Sequence, residues 1–90
     1  MTEEQNKQKP WTVMVPTTED WCPTVNGELS LTLTYIYLDK LWRVCVWGGD
    51  DIGMEKDFAS YSEARNIFEQ ASKVKNMSRS YLDGLGFRIS

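Results

Sequence analysis

The densest run of chemistry-bearing side chains is Asp50, Asp51, Glu55 and Asp57, with Lys56 the one opposing charge between positions 48 and 57. Clustered carboxylates serve general acid/base catalysis, cation binding or recognition of a basic surface. The chain contains no histidine, which removes the commonest general base, the commonest metal ligand and every Ser/His or Cys/His nucleophile pair. Asp50 and Asp51 are adjacent, so on a strand they point to opposite faces and do not share a substrate. The segment GGDDIGME lacks the alternating aspartates and distant glutamate of a calcium loop. Cys22 and Cys45 form no CxxC spacing, and no G-x-S-x-G, P-loop or dinucleotide fingerprint occurs. The sequence therefore predicts no catalytic residue, no metal and no cofactor. Two readings of the carboxylates remain: a solvated turn whose aspartates satisfy backbone groups, or an acidic patch that steers onto a basic partner.

Charge is unevenly placed along the chain. The net charge of −3 divides into −2 over residues 1–47, −3 over residues 48–57 and +2 over residues 58–90. Trp47 abuts the acidic stretch. If Trp42 faces the core, strand alternation sends Trp47 to the opposite face, and Trp47 and Tyr37 are the two aromatics expected to be at least partly exposed. Aromatics beside acid suit a protein interface, where Trp and Tyr dominate hot spots. The basic end, Lys73, Lys75, Arg79 and Arg88 with Tyr81 among them, could grip phosphates. It has no Gly-rich cradle, and a helix C-terminus already accounts for two of its charges. With a pI near 4.8, direct nucleic-acid binding is not expected.

The elements that must position these residues follow from periodicity. Ninety residues, 41 % hydrophobic and 26 % charged with eleven aromatics, make one domain with a modest core. Residues 1–10 read as a frayed tail and residues 11–90 as the domain. Trp11 to Pro16 alternates as a strand, placed at a sheet edge by its flanking prolines. Residues 17–28 form a loop in which Asn26-Gly27 signals a type I′ turn. Residues 29–47 form a hairpin that reverses at Asp39-Lys40, with both strands apolar enough to be covered on two sides. GGDDIG at 48–53 is a turn, and Met54 to Phe58 returns as a strand. Ser60 and Glu63 form a capping box, and Tyr61, Ala64, Ile67, Phe68, Ala71 and Val74 make an apolar helical stripe. That helix is expected to end near Asn76, with Glu69 and Lys73 as an i,i+4 pair. A short turn over 78–83 closed by Gly84 follows, then a brief strand or extended tail over 87–90. The fold class is α+β: a small antiparallel sheet of three to four strands covered on one face by a single amphipathic helix, in the order β-β-β-β-α-(β). The other face is left partly free, with more aromatic surface than a solvated face normally shows.

No apolar stretch in MTEEQNKQKP could serve as a signal peptide, and no apolar run exceeds four residues, as in Val44 to Trp47. The expected location is the cytoplasm, with no membrane contact and both cysteines reduced as small buried hydrophobes. The passage WRVCVWGGDDIGMEKDF followed by SYSEARNIFEQA, in a small acidic chain without histidine, resembles the small phage and mobile-element proteins that inactivate host defences, anti-CRISPR proteins among them. The resemblance implies stoichiometric inhibition in the host cytoplasm: binding to a basic, nucleic-acid-binding surface of a CRISPR-Cas or related complex, with acidic side chains in place of phosphates. A net charge of −3 is mild for duplex mimicry, so the expected action is a local plug built from Asp50, Asp51, Glu55, Asp57, Trp47 and Tyr37. The alternative is a small homodimeric module that pairs sheet faces or edge strands.

Overall fold

Alternation over residues 28–47 dictates the sheet, because successive strand side chains point to opposite faces. The computed structural model describes residues 10–19, 21, 27–49 and 53–89. Trp11–Pro16 forms β1, Glu28–Ile36 β2, Leu41–Trp47 β3, Met54–Phe58 β4, Tyr61–Ser72 helix α1, Arg79–Gly84 helix α2 and Arg88–Ile89 β5. The strands pair antiparallel in chain order, β1-β2-β3-β4-β5. This is the expected α+β architecture, with the terminal segment added to β4 as a fifth strand.

The register stacks one apolar face across the sheet. Val15 lies opposite Leu29, Leu31 opposite Val46, Leu33 opposite Val44, and Trp42 opposite Phe58. Helix α1 lays Ala64, Phe68 and Ala71 on this face, and Leu82 of α2 joins the same buried cluster with Met77 and Phe87. Trp21 is also fully buried in it. At one end an aromatic ladder links sheet to helix: Tyr35 is 5.0 Å from Trp42, and Trp42 is 4.8 Å from Tyr61, ring centre to ring centre. Burial in β2 and β3 alternates strictly with parity over residues 28–34 and 41–46, so the described residues cover these strands fully on one side and not on two. Of their outward positions, Glu28, Ser30, Thr32, Thr34, Arg43 and Cys45 are polar or small, whereas Ile36, Leu41 and Trp47 are large and apolar; the buried inward positions are all large and apolar.

Helix α1 begins where expected, with the Ser60 hydroxyl accepting the Glu63 N–H at 3.3 Å, but among the described residues the Glu63 carboxylate does not return the bond that would complete a capping box. It ends at Ser72, short of Asn76. Ser72 Oγ donates to the Glu69 carbonyl at 2.7 Å, and the Lys73 and Val74 N–H groups reach back three residues to Gln70 and Ala71, which tightens the final turn. Beyond it the chain is drawn to the end of β1: the Met77 N–H donates to the Pro16 carbonyl at 2.7 Å, and Thr17 Oγ1 donates to the Met77 carbonyl at 2.7 Å. Lys73 becomes the C-cap, and Glu69 pairs with Arg65 at 2.9 Å instead of with Lys73.

The short turn after it is α2, but the glycine that closes it is Gly86. Gly84 lies inside the helix, while Gly86 takes φ +92° and lets the Phe87 N–H return to the Leu82 carbonyl at 3.0 Å. A Cβ at position 86 would sit 3.0 Å from Lys56 Nζ, which donates to the Leu85 carbonyl at 2.8 Å.

The β2–β3 reversal at residues 37–40 places Lys40 at φ 54°. This left-handed geometry costs an L-residue about 1–2 kcal/mol and glycine nothing. Lys40 is exposed, so little packing is lost with its side chain. Lys40→Gly is expected to raise stability by about 0.5–1 kcal/mol once glycine's greater unfolded-state freedom is deducted. A thermal melt in which Lys40→Gly unfolds below the wild type would contradict this.

Candidate functional site

Both helices pack on one side of the sheet, and among the described residues no helix covers the other. The antiparallel register arranges this open face in rows. One row runs Met14, Ser30, Trp47; the next runs Thr12, Thr32, Cys45, Glu55, Arg88; a third runs Thr34, Arg43, Asp57. A fourth row pairs Ile36 with Leu41, so the face has an apolar corner at Met14 and Trp47, a small polar centre, a charged corner and a second apolar pair beyond Thr34 and Arg43. Met14 and Trp47 are 43 % and 47 % exposed, flanking Ser30, whose hydroxyl lies 3.8 Å from the Met14 sulfur. In the centre the Thr12 and Thr32 hydroxyls are 3.4 Å apart.

The charged corner is a closed box of two carboxylates and two guanidinium groups. Arg43 Nε lies 2.7 Å from Asp57 Oδ1 and its Nη2 3.1 Å from Asp57 Oδ2, a forked pair. The same Nε is 3.1 Å from Glu55 Oε2. Arg88 Nη2, arriving on β5, is 3.0 Å from both Glu55 Oε2 and Asp57 Oδ2. The carboxylate side chains are only 13 % and 15 % exposed beneath the arginines. Folding therefore cancels charges that stand apart in the sequence: Glu55 and Asp57, counted with the acidic segment, are matched by Arg43 and by Arg88 from the basic end.

Hydrogen bonding to Arg43, then to Arg88, holds the Asp57 carboxyl below its ordinary value against the opposing effect of burial, and the Asp57 bond raises Arg43. A carboxyl with a depressed folded-state pKa contributes stability that is fully present above the unfolded value of about 3.9 and is lost as pH falls through the lower folded value. The urea midpoint is thus expected to fall below about pH 4, and Asp57→Asn to flatten that acid limb from a lower plateau. The effect is modest because the box borders solvent. An acid limb as steep in Asp57→Asn as in the wild type would refute the assignment.

Cys45 sits at the centre of the face as a free, half-buried thiol. Burial, then the nearby Glu55 charge, pushes its pKa up, so at neutral pH it stays protonated and is a weak nucleophile. Among the described residues no three His, Cys, Asp or Glu side chains gather as a metal site would require. Every buried side-chain nitrogen or oxygen among them has a hydrogen-bond partner. What the open face offers chemically is contact: an apolar anchor, hydroxyls and charges of both signs.

The sequence-derived site residues separate into groups. Asp50 and Asp51 lie outside the described residues, as does Cys22. Glu55 and Asp57 are inside the box, and Trp47 stands on the open face as alternation requires. Tyr37 is 61 % exposed but belongs elsewhere. Its ring meets Tyr35 edge-on at 4.9 Å, on the helix-covered side, and it lies beyond the start of β3 while Trp47 ends that strand, a span of about 20 Å. Tyr37 and Trp47 therefore do not form one patch. The open face also carries less aromatic surface than expected: Trp47 is its one aromatic among the described strand residues, because Trp11, Tyr35, Trp42 and Phe58 share the opposite parity. The basic end disperses, with Arg79 stacked 4.8 Å from the Trp21 ring and Arg88 in the box. Met14 and Arg43 are open-face residues that sequence reasoning missed. Their parity with Thr12 and Cys45 was the available signal, but only the strand register puts them beside Trp47 and Asp57.

A groove of about 600 Å³ between α2 and β5 is lined by Met54, Arg79, Asp83, Phe87 and Ile89 among others. No helix among the described residues is long and apolar enough to cross a membrane. Compared with protein-family models, with curated proteins and with solved structures, the chain finds no significant match.

Proposed function

We propose that the protein is a non-enzymatic inhibitor that acts by occupying a partner protein's surface with the open face of its sheet. The observation that carries this reading is a five-stranded sheet that the described residues cover on one side only, with Trp47 and Met14 half-exposed at one corner. A rigid aromatic on a strand, ringed by small polar side chains, has the composition of an interface hot spot. The charged box sits at the rim, where charges of both signs set orientation more than affinity.

In this reading the attraction to a basic partner falls to Asp50 and Asp51, which follow Trp47 closely in the sequence, since Glu55 and Asp57 are already matched by arginines. The partner class is a basic, nucleic-acid-binding surface of a host-defence complex, met in the host cytoplasm by a phage-encoded chain that plugs one site. The test is capture from host lysate with identification by mass spectrometry, using wild type and Trp47→Arg side by side. A partner lost on Trp47→Arg and retained by surface variants of α1 supports the reading. Equal capture by Trp47→Arg and wild type refutes it.

A further inference from the structure

The two edges of the sheet are built differently. At one edge β5 has two residues, one of them Arg88, the short and charged design that discourages strand addition. At the other, β1 has six residues, WTVMVP, and none is charged. Alternate residues of an antiparallel strand turn their N–H and C=O groups away from the partner strand. Thr12 to Val15 have, among the described residues, no backbone hydrogen bond outside the β1–β2 ladder, so part of this edge presents unpaired groups. Val13 and Met14, pointing to opposite faces, are 38 % and 43 % exposed there.

We propose that this edge pairs with β1 of a second copy of the chain, antiparallel across a two-fold axis at Val13, to give a continuous ten-stranded sheet. The strand itself selects the occupant and the register. Residues 10–16 read Pro-Trp-Thr-Val-Met-Val-Pro, with prolines equidistant from Val13. In a Val13-centred pairing each Pro10 lies opposite the other copy's Pro16, so the two residues that lack an N–H face one another and Trp11 to Val15 lies between them. Pairing by residues of like parity keeps both apolar faces on one side of the sheet. A Met14-centred register would instead set Thr12 against the other copy's Pro16, which has no N–H and whose carbonyl already accepts from Met77, whereas the Val13-centred register sets Thr12 against Met14, which has both a donor and an acceptor. A two-fold axis also closes the assembly at two copies, because each chain has one such edge.

The Val13 side chains meet across the axis and lose their exposure. Both open faces then lie on the same side of the extended sheet, so the dimer displays two copies of Trp47 in one direction. The pairing stands independently of any role for Trp47.

Sedimentation equilibrium over a range from low to high micromolar concentration tests the pairing. The wild type is expected to move from 10.4 kDa toward twice that mass. Val13→Lys sets two ammonium groups opposite each other in the dimer and is expected to raise the dissociation constant about tenfold or more, leaving a monomer. Circular dichroism verifies folding; should Val13→Lys not fold, Met14→Lys on the same strand replaces it with the same expected loss. Trp47→Arg is expected to dimerise as the wild type does. A wild type that stays at 10.4 kDa throughout overturns the proposal, as does a dimer that survives Val13→Lys, whether or not Trp47→Arg abolishes it.

Discussion

Replacing Trp42 by alanine is expected to lower the melting temperature by roughly 15 °C or more, since a lost buried tryptophan costs about 3–5 kcal/mol and each kcal/mol moves a domain of this size by about 4–8 °C. Trp42 is 1 % exposed and lies at the centre of the ladder from Tyr35 to Tyr61, so its ring ties β2 and β3 to the first turn of α1. Its removal leaves a cavity that neither tyrosine fills without leaving its own contact. A domain of ninety residues is stable by only about 5–10 kcal/mol, so the change consumes a large part of the total. Trp42→Phe keeps an aromatic in the ladder and is expected to lose much less. A thermal melt of Trp42→Ala within a few degrees of the wild type would show that the ladder is not what joins sheet to helix.

The opposite result is expected from Trp47, five residues along the same strand. Its side chain projects from the open face and is half-exposed, so Trp47→Arg is expected to shift the melting temperature by only a few degrees, as surface changes usually do. The proposed role places its effect on binding. A central aromatic anchor is worth about 2–4 kcal/mol, which corresponds to roughly a 30- to 1,000-fold weaker complex. Tyr37→Ala, on the covered side and about 20 Å away, is expected to leave affinity unchanged.

The contrast between these two tryptophans was legible in the sequence, because Trp42 and Trp47 are separated by an odd number of strand positions. The same parity rule identified β1, β2 and β3, the turn at 48–53 implied the return of β4, and the capping serine with its apolar stripe identified α1. What local pattern does not contain is register. Glu55 and Arg88 are thirty-three positions apart, and only the antiparallel return of β5 brings them to 3.0 Å. Charge summed along the chain therefore overstated the acidity at Glu55 and Asp57. The end of α1 was misplaced for a related reason. Val74 continues the helical stripe, but the bonds from Met77 to Pro16 and Thr17 divert the chain first. Tyr37 follows the strand alternation in sequence, yet it lies in the turn and is held by Tyr35.

The proposed action through the open face of the sheet is tested by titrating the captured partner with three purified proteins. These are the wild type, Trp47→Arg on the open face and Asn66→Arg on the exposed side of α1. The expected result is a loss of about 30-fold or more for Trp47→Arg, with Asn66→Arg within about twofold of the wild type. Undiminished binding by Trp47→Arg together with a large loss for Asn66→Arg would move the site to the helix and contradict the claim.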